Sequence, residues 1–252
     1  MKKILVAFIL IISFLKVNAQ FSAPDYIKTS KGSIIVQPVL HSSLILKWNQ
    51  KTIYIDPYKE LDIYKEYPNP SLILITDIHG DHLNIKTLES LIDEKTIIVA
   101  PLAVKDKLPD ELKLKTIVMN NGELKNILGV SIEAIPMYNL PESEQSRHIK
   151  GRGNGYVLKM DNKRIYIAGD TADIPEMRSL KKIDIAFICM NLPYTMDFET
   201  AADAVLDFEP AVVYPYHFRG KDGFSDVEAF KSLVFEKNPD IEVRLRIWYP
   251  EN

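Results

Sequence analysis

The sequence predicts one mixed α/β domain made of two packed sheets with helices on the outside. Apolar, β-type runs far outnumber helical stretches, and several are continuous rather than alternating, as in strands covered on both faces. Their order is strands, a helix, strands again and then helices. No Pro/Gly/Ser linker and no repeat period divides the chain, which fits two packed sheets better than one doubly wound sheet. The 252 residues are 46% hydrophobic and 26% charged, a globular composition that excludes a disordered or collagen-like chain and supplies a sizeable core.

The elements follow in order. Lys2 and Lys3 precede an apolar run over 4–12, interrupted by Ser13, and Val17-Asn18-Ala19 places small residues at the −3 and −1 positions. Residues 1–19 therefore read as a signal peptide cut between Ala19 and Gln20. The apolar stretch, about 12 residues, falls short of the roughly 20 a spanning helix needs. No Cys follows it, which argues against a lipid anchor, and no later segment is apolar enough to span a bilayer. The expected product is exported, periplasmic or secreted. Cleavage removes three lysines and no acid, taking the net charge from −3 to −6. Nothing in that balance suggests a nucleic-acid partner.

Residues 20–32 are polar and read as a lead-in, with the folded domain expected over 33–252. Strands are predicted at 33–39, 44–48, 52–55, 72–76, 96–100, 116–119, 130–135, 155–160, 164–168, 185–190, 211–215 and 242–248, from their Ile, Val and Tyr content. Helices are predicted at 85–92, 103–107, 198–208 and 226–235. In the third, Ala201, Ala202, Val205 and Phe208 share a face, with Asp203 and Asp207 on another. In the fourth, Val227, Phe230, Val234 and Phe235 are expected to share a face. Gly151-Arg152-Gly153-Asn154-Gly155 is followed by a strand, not a helix, so it is not a dinucleotide loop, and no Gly-Lys-Ser/Thr closes it as a P-loop. Cys189 is the single cysteine, so internal disulfides and Cys-based metal clusters are excluded, and its apolar strand marks it as a packed thiol.

The chemistry is concentrated at strand ends. Thr76-Asp77-Ile78-His79-Gly80-Asp81-His82 follows an apolar strand and crowds four ligand-type side chains into six residues. Asp77 and His79 alternate and can point the same way, and Gly80 is expected to provide the tight turn that swings Asp81 and His82 alongside. Imidazole with carboxylate suits zinc, manganese or iron. The strand at 164–168 ends in Gly169-Asp170-Thr171, and the strand at 211–215 leads into Tyr216-His217. His148 lies in a polar loop, and its case depends on these other positions.

Asp77-x-His79-x-Asp81-His82 followed by His148, Asp170 and His217 resembles the metallo-β-lactamase fold hydrolases, which carry His-x-His-x-Asp-His, a later His, a bridging Asp and a final His. Ile55-Asp56-Pro57, the run from Gly151 to Tyr156, Gly169-Asp170-Thr171 and Tyr214-Pro215-Tyr216-His217 resemble the branch with ascorbate-6-phosphate lactonase-like proteins. That branch also holds the phospholipase D enzymes that cleave N-acyl phosphatidylethanolamine. The likeness spans roughly residues 33–220. It implies a four-layer αββα sandwich and two divalent metal ions, zinc first, with manganese or iron as alternatives. It places His79 and His148 at the first metal, with Asp77 where the family has a histidine. Asp81, His82 and His217 fall at the second, Asp170 bridges both, and Asp56 orients ligands from behind.

Asp77 swaps a neutral nitrogen for a charged oxygen, which hardens the site; the other reading leaves Asp77 unligated and the first metal weak or absent. The implied activity is metal-assisted hydrolysis of a phosphodiester, ester or lactone, centred on Asp81 and Asp170, without a serine or cysteine nucleophile. β-Lactam hydrolysis and a non-catalytic metal-containing binding protein are the competing classes, and a di-iron redox protein is a further one. His41, Tyr194 and Arg219 are candidate substrate contacts. Arg147, Lys150, Arg152, Arg219 and Lys221 flank His148 and His217, where they serve either an anionic small-molecule substrate or only a solvated loop. Tyr138, Tyr194 and Tyr216 are candidate oxyanion donors or packing residues.

Overall fold

A computed structural model describes residues 21–60 and 62–250, so the signal-peptide reading of residues 1–19 lies outside the described residues. The first sheet holds β1 (Asp25–Thr29), β2 (Gly32–Leu40), β3 (Ser43–Trp48), β4 (Lys51–Ile55), β5 (Leu72–Leu74), β6 (Ile97–Ala100) and β7 (Thr116–Val118), side by side in chain order. β1 to β4 pair antiparallel, and β4 to β7 pair parallel. Parallel neighbours need crossover connections. These carry a 3-10 turn at Asp62–Glu66, α1 (Ile85–Leu91), α2 (Leu102–Lys107) and α3 (Asp110–Leu114).

The second half repeats this plan. It runs through β8 (Leu124–Ile127), β9 (Val130–Met137), β10 (Gly153–Met160), β11 (Lys163–Ile167), α4 (Pro175–Arg178), β12 (Ile185–Cys189), α5 (Phe198–Phe208) and β13 (Val212–Tyr216). A short hairpin of β14 (Arg219–Gly220) and β15 (Gly223–Phe224) follows, then α6 (Val227–Lys237) and β16 (Glu242–Val243). The sheet order is β16-β13-β12-β11-β10-β9-β8, antiparallel from β8 to β11 and parallel from β11 to β16. No sequence period announced this shared plan; the halves share topology rather than residues.

Side-chain alternation separates the layers. Ile53, Ile55, Leu72, Leu74 and Val99 join Ile132, Ala134 and Leu158 in the core between the sheets. Tyr54, Ile73, Ile98 and Ala100 point the other way, onto Leu88 and Leu91 of α1, Val104 of α2 and Leu112 of α3. On the far side, Ala201, Val205 and Phe208 of α5 and Phe230 and Val234 of α6 are buried in the core cluster. The result is the expected four-layer αββα sandwich. α5 has the predicted limits, starts at the cap of Asp197, which accepts from the Thr200 amide at 2.7 Å, and turns Asp203 and Asp207 outward onto Arg178 of α4.

Four expectations change. The predicted lead-in contains β1 and the start of β2, where Ile27 faces inward while Tyr26 is 65% exposed; an edge strand with one buried face shows little apolar signal. The run at 242–248 leaves the sheet after Val243, because Arg244 and Arg246 turn to Asp25. Phe235 is 62% exposed, since five residues beyond Phe230 lies about 140° around the helix. Gly80 has no left-handed backbone, and a side chain there would meet open space, so it is not what turns the loop.

Candidate metal centre

The carboxyl ends of the parallel strands in both sheets meet at one edge of the sandwich, and the predicted ligands come from those ends, except His148, which lies in the loop between the antiparallel β9 and β10. Three cross-sheet hydrogen bonds hold the edges together: the Asn154 amide to Thr76 O at 3.0 Å, Tyr156 Oη to Ile75 O at 2.8 Å, and Asn154 Nδ2 to Met119 O at 2.8 Å. Each satisfies a carbonyl that would otherwise be buried alone.

Asp56 follows β4 and is fully buried. Its carboxylate accepts from the Thr76 amide at 2.8 Å, Thr76 Oγ1 at 2.6 Å and His82 Nδ1 at 2.8 Å. Burial raises its carboxyl above the usual range, and His82 and Thr76 oppose that rise. The proton on His82 Nδ1 leaves Nε2 as a lone pair aimed into the centre. His148 is set in the same way: its Nδ1 lies 3.1 Å from Tyr194 O, so Nε2 faces Asp170. The Asn191 side-chain amide sits 3.3 Å from His217 Nδ1, and the His217 amide donates to His41 O at 3.2 Å.

These rings surround Asp170. One of its oxygens is 3.4 Å from His217 Nε2; the other is 3.3 Å from both His82 Nε2 and His148 Nε2. Asp81 reaches His217 Nε2 at 3.3 Å, and His82 Nε2 and His217 Nε2 are themselves 3.3 Å apart. Asp77 Oδ2 touches His79 Nδ1 and lies 3.8 Å from His148 Nε2, while its Oδ1 lies 3.6 Å from Arg152. Two ligand groups result, Asp77-His79-His148 and His82-Asp170-His217, and His41, Asp81 and His217 form a third that shares His217 with the second.

The donor set fits divalent cations. Ligand nitrogens about 2.0–2.1 Å from a tetrahedral zinc stand about 3.3 Å from each other, the separation found between His82 and His217. Both oxygens of Asp77, Oδ1 of Asp170, Nδ1 of His79 and Nε2 of His148 are buried without an aligned hydrogen-bond partner. Such a concentration of unpartnered polar atoms calls for a cation. The titration directions agree. Burial would pull the His82 imidazole down, yet Asp170 and Asp56 hold it well above the ordinary value. Burial would raise Asp170 and Asp81, yet His217 and His82 hold both below the carboxylate range. The carboxylates draw positive charge from whatever can supply it.

The centre opens into a cleft of about 630 Å³ lined by Asp81, Asp170 and His217 together with His41, Tyr58, Asn84, Arg147, Asn191, Tyr194 and Arg219. A hollow of about 680 Å³ elsewhere, at Phe21–Pro24 and Tyr67, holds none of the histidines or aspartates named here. His41 has a left-handed backbone (φ 55) and lies edge-on to His217 at 5.1 Å. Its Nε2 faces an Arg219 nitrogen at 2.5 Å and its Nδ1 faces Tyr249 Oη at 3.3 Å. Burial, then the neighbouring His217 and Arg219, push it down to about 3, so it stands as a neutral ring.

His41, Tyr194 and Arg219 thus lie in the cleft, and Asp56 stands behind His82. Several other candidates do not reach it. Lys150 pairs with Glu142 and Glu176, Tyr138 Oη bonds Glu176 at 2.9 Å, and Tyr216 Oη accepts from the Gly169 amide at 2.9 Å. Arg152 faces Asp77 rather than the cleft mouth. Thr76, Asn191 and Tyr249 were missed. Thr, Asn and Tyr carry no ligand signature, and only their spacing to residues far along the chain makes them part of the centre.

The chain matches the β-lactamase superfamily domain over residues 36–217 and belongs to that family. A solved structure assigned as a metal-dependent hydrolase, from Parabacteroides distasonis, superposes with a TM-score of 0.80 at 37% identity, covering 90% of this chain and 99% of that one. A metal-dependent hydrolase of Pyrococcus furiosus is 31% identical over 229 residues, 88% of this chain and 93% of its own length. A similar protein of Pyrococcus abyssi is 29% identical over 209 residues, 78% of this chain and 90% of its own. The protein is a metal-dependent hydrolase of the metallo-β-lactamase superfamily.

Proposed function

We propose that the protein is a two-metal hydrolase, zinc-loaded, acting on a phosphodiester, ester or lactone bond of a small molecule outside the cytoplasm. The supporting observation is the shared carboxylate of Asp170, one oxygen turned to His217 and the other to His82 and His148. Asp170 thus belongs to the His82-Asp170-His217 group and also reaches His148 of the other. Asp77, His79 and His148 would hold one ion, Asp81, His82 and His217 the other, and Asp170 both. Divalent cations supply Lewis acidity at such a site, polarising a carbonyl or phosphoryl oxygen and making water nucleophilic near neutral pH.

The protein's own groups do the rest. Asp81, with its side chain 31% exposed, and Asp170 are both held ionised and line the cleft, so they are the acceptors that orient an attacking water. Asp56, through Thr76 and His82, fixes the ring that faces them. The Asp77 carboxylate replaces a neutral imidazole and adds a negative charge, which Arg152 at 3.6 Å offsets. The cleft supplies no serine or cysteine nucleophile: Cys189 is buried and its thiol is pushed up to about 12.

Metal analysis of the wild type and Asp77→Ala tests the reading, with two equivalents expected in the first and about one in the variant. A panel of bis-p-nitrophenyl phosphate, p-nitrophenyl esters, lactones and nitrocefin then assigns the bond. Full metal with no turnover of any of these would favour a binding protein, and rapid nitrocefin turnover would favour a β-lactamase. Export rests on residues 1–19, and a secreted product starting at Gln20 is its expected mark.

A further inference from the structure

The chain has seven arginines. Arg152, Arg164, Arg178, Arg244 and Arg246 each face a carboxylate at 3.6 Å or less. The remaining two, Arg147 and Arg219, have no carboxylate partner among the described residues, and both line the cleft over the metal centre. In a chain with an excess of acids, the arginines left unpaired among the described residues are the two where the ligands converge.

Both guanidinium groups are held without being neutralised. Arg147 lies over the Tyr194 ring at 4.7 Å, and Arg219 over the Tyr249 ring at 5.2 Å. A ring face fixes a guanidinium plane while leaving its N–H edge free. Arg219 is further tied by Nη2 to His41 Nε2 and by its amide, which donates to Tyr249 Oη at 3.1 Å. An arginine only donates, so His41 accepts there and brings no negative charge. On the other side, the Arg147 carbonyl accepts from Arg152, and the next amide, of His148, donates to Asn139 Oδ1 at 2.8 Å. Arg147 directly precedes His148 of one ligand group, and Arg219 follows His217 of the other by two residues. Each ligand group therefore carries its own fixed cation.

We propose that Arg147 and Arg219 form a clamp for an anionic oxygen group of the substrate, a carboxylate or a phosphate, carried apart from the bond that is cleaved. This rests on the hydrolase reading of the same centre. The planar N–H fork suits either anion, and a substrate held by both would present its reacting bond to Asp81 and Asp170, which line the same cleft.

The test uses metal-loaded protein and calorimetric titration with inorganic phosphate and, separately, with succinate. Arg147→Gln and Arg219→Gln are each expected to weaken binding about tenfold, and the double variant more. Arg164→Gln, paired with Glu133, is expected to leave it unchanged. Tighter phosphate binding assigns a phosphoryl group, and tighter succinate binding a carboxylate. Equal affinity in the double variant and the wild type, at equal metal content, overturns the clamp and leaves the hydrolase reading standing. No binding of either anion by wild type overturns the clamp as well. Failure of the wild type to take up metal overturns the hydrolase reading itself, and the clamp with it.

Discussion

Asp56 shows how one buried carboxylate sets the chemistry of a residue far along the chain. It accepts from two Thr76 groups and from His82 Nδ1, so the proton of that imidazole is placed and Nε2 is committed to the centre. Asp56→Asn keeps the shape but removes the charge that holds the Nδ1 proton. Loss of such a supporting partner costs about 10–100-fold in metal affinity, and chelator competition is the measurement; wild-type affinity in the variant would reduce Asp56 to a folding role. At this scale the sequence was readable where ligand-type residues cluster, at Asp77, His79, Asp81 and His82. Asp170 and His217 were readable as ligand-type residues at the ends of apolar strands, whereas His148, in a polar loop, was readable only through the other positions and the family pattern. Arg152 sits against Asp77, which neither the substrate nor the solvated-loop reading foresaw, because a basic loop residue looks the same whether it faces solvent or a buried carboxylate.

Among the elements, strand ends carry the function. β11 stops at Ile167, and the chain must turn at once to aim Asp170 between the sheets. Gly169 makes that turn with φ +66, and a Cβ there would stand 2.5 Å from Met137 Sδ and 3.2 Å from Thr76 Cβ. Gly169→Ala should therefore lower stability by about 1–3 kcal/mol from the backbone conformation alone. Metal content should fall too, as Asp170 is displaced. Chemical denaturation checks the first effect, and an unchanged midpoint would show that the turn relaxes. Long, continuous apolar runs such as β12 and β13, and the amphipathic α5, stand out in the sequence. Short elements did not: β8 buries only Ile127, α4 spans four residues and β1 buries one face, so none has enough periodicity to read.

Across the whole molecule, the first strand and the last segment are clasped by Asp25. Its carboxylate accepts from Arg246 Nε at 2.9 Å and Tyr214 Oη at 2.7 Å, joining residues about as far apart as the chain allows. Burial raises this carboxyl, but the bonds from Arg246 and Tyr214 outweigh it and hold it below the usual carboxylate value. A lowered folded value means that the stabilisation is complete above the unfolded carboxyl value, about 3.9, and is lost as pH falls through the folded one. Asp25→Asn should thus be less stable than wild type at neutral pH, with the difference shrinking below about pH 4. Unfolding curves across that range would show it, and a constant difference would remove Asp25 from the acid response.

The sequence by itself determined the layers, through the spacing of apolar residues, and the ligand chemistry, through the kinds of side chain packed at strand ends. Both are local properties, written in neighbouring residues. Only the tertiary structure decided which carboxylate orients which imidazole, that Arg152 compensates Asp77, and that two arginines are left unpaired over the cleft. Those facts depend on distances between segments tens to hundreds of residues apart, which are set when two sheets close on a shared core and which no local pattern records.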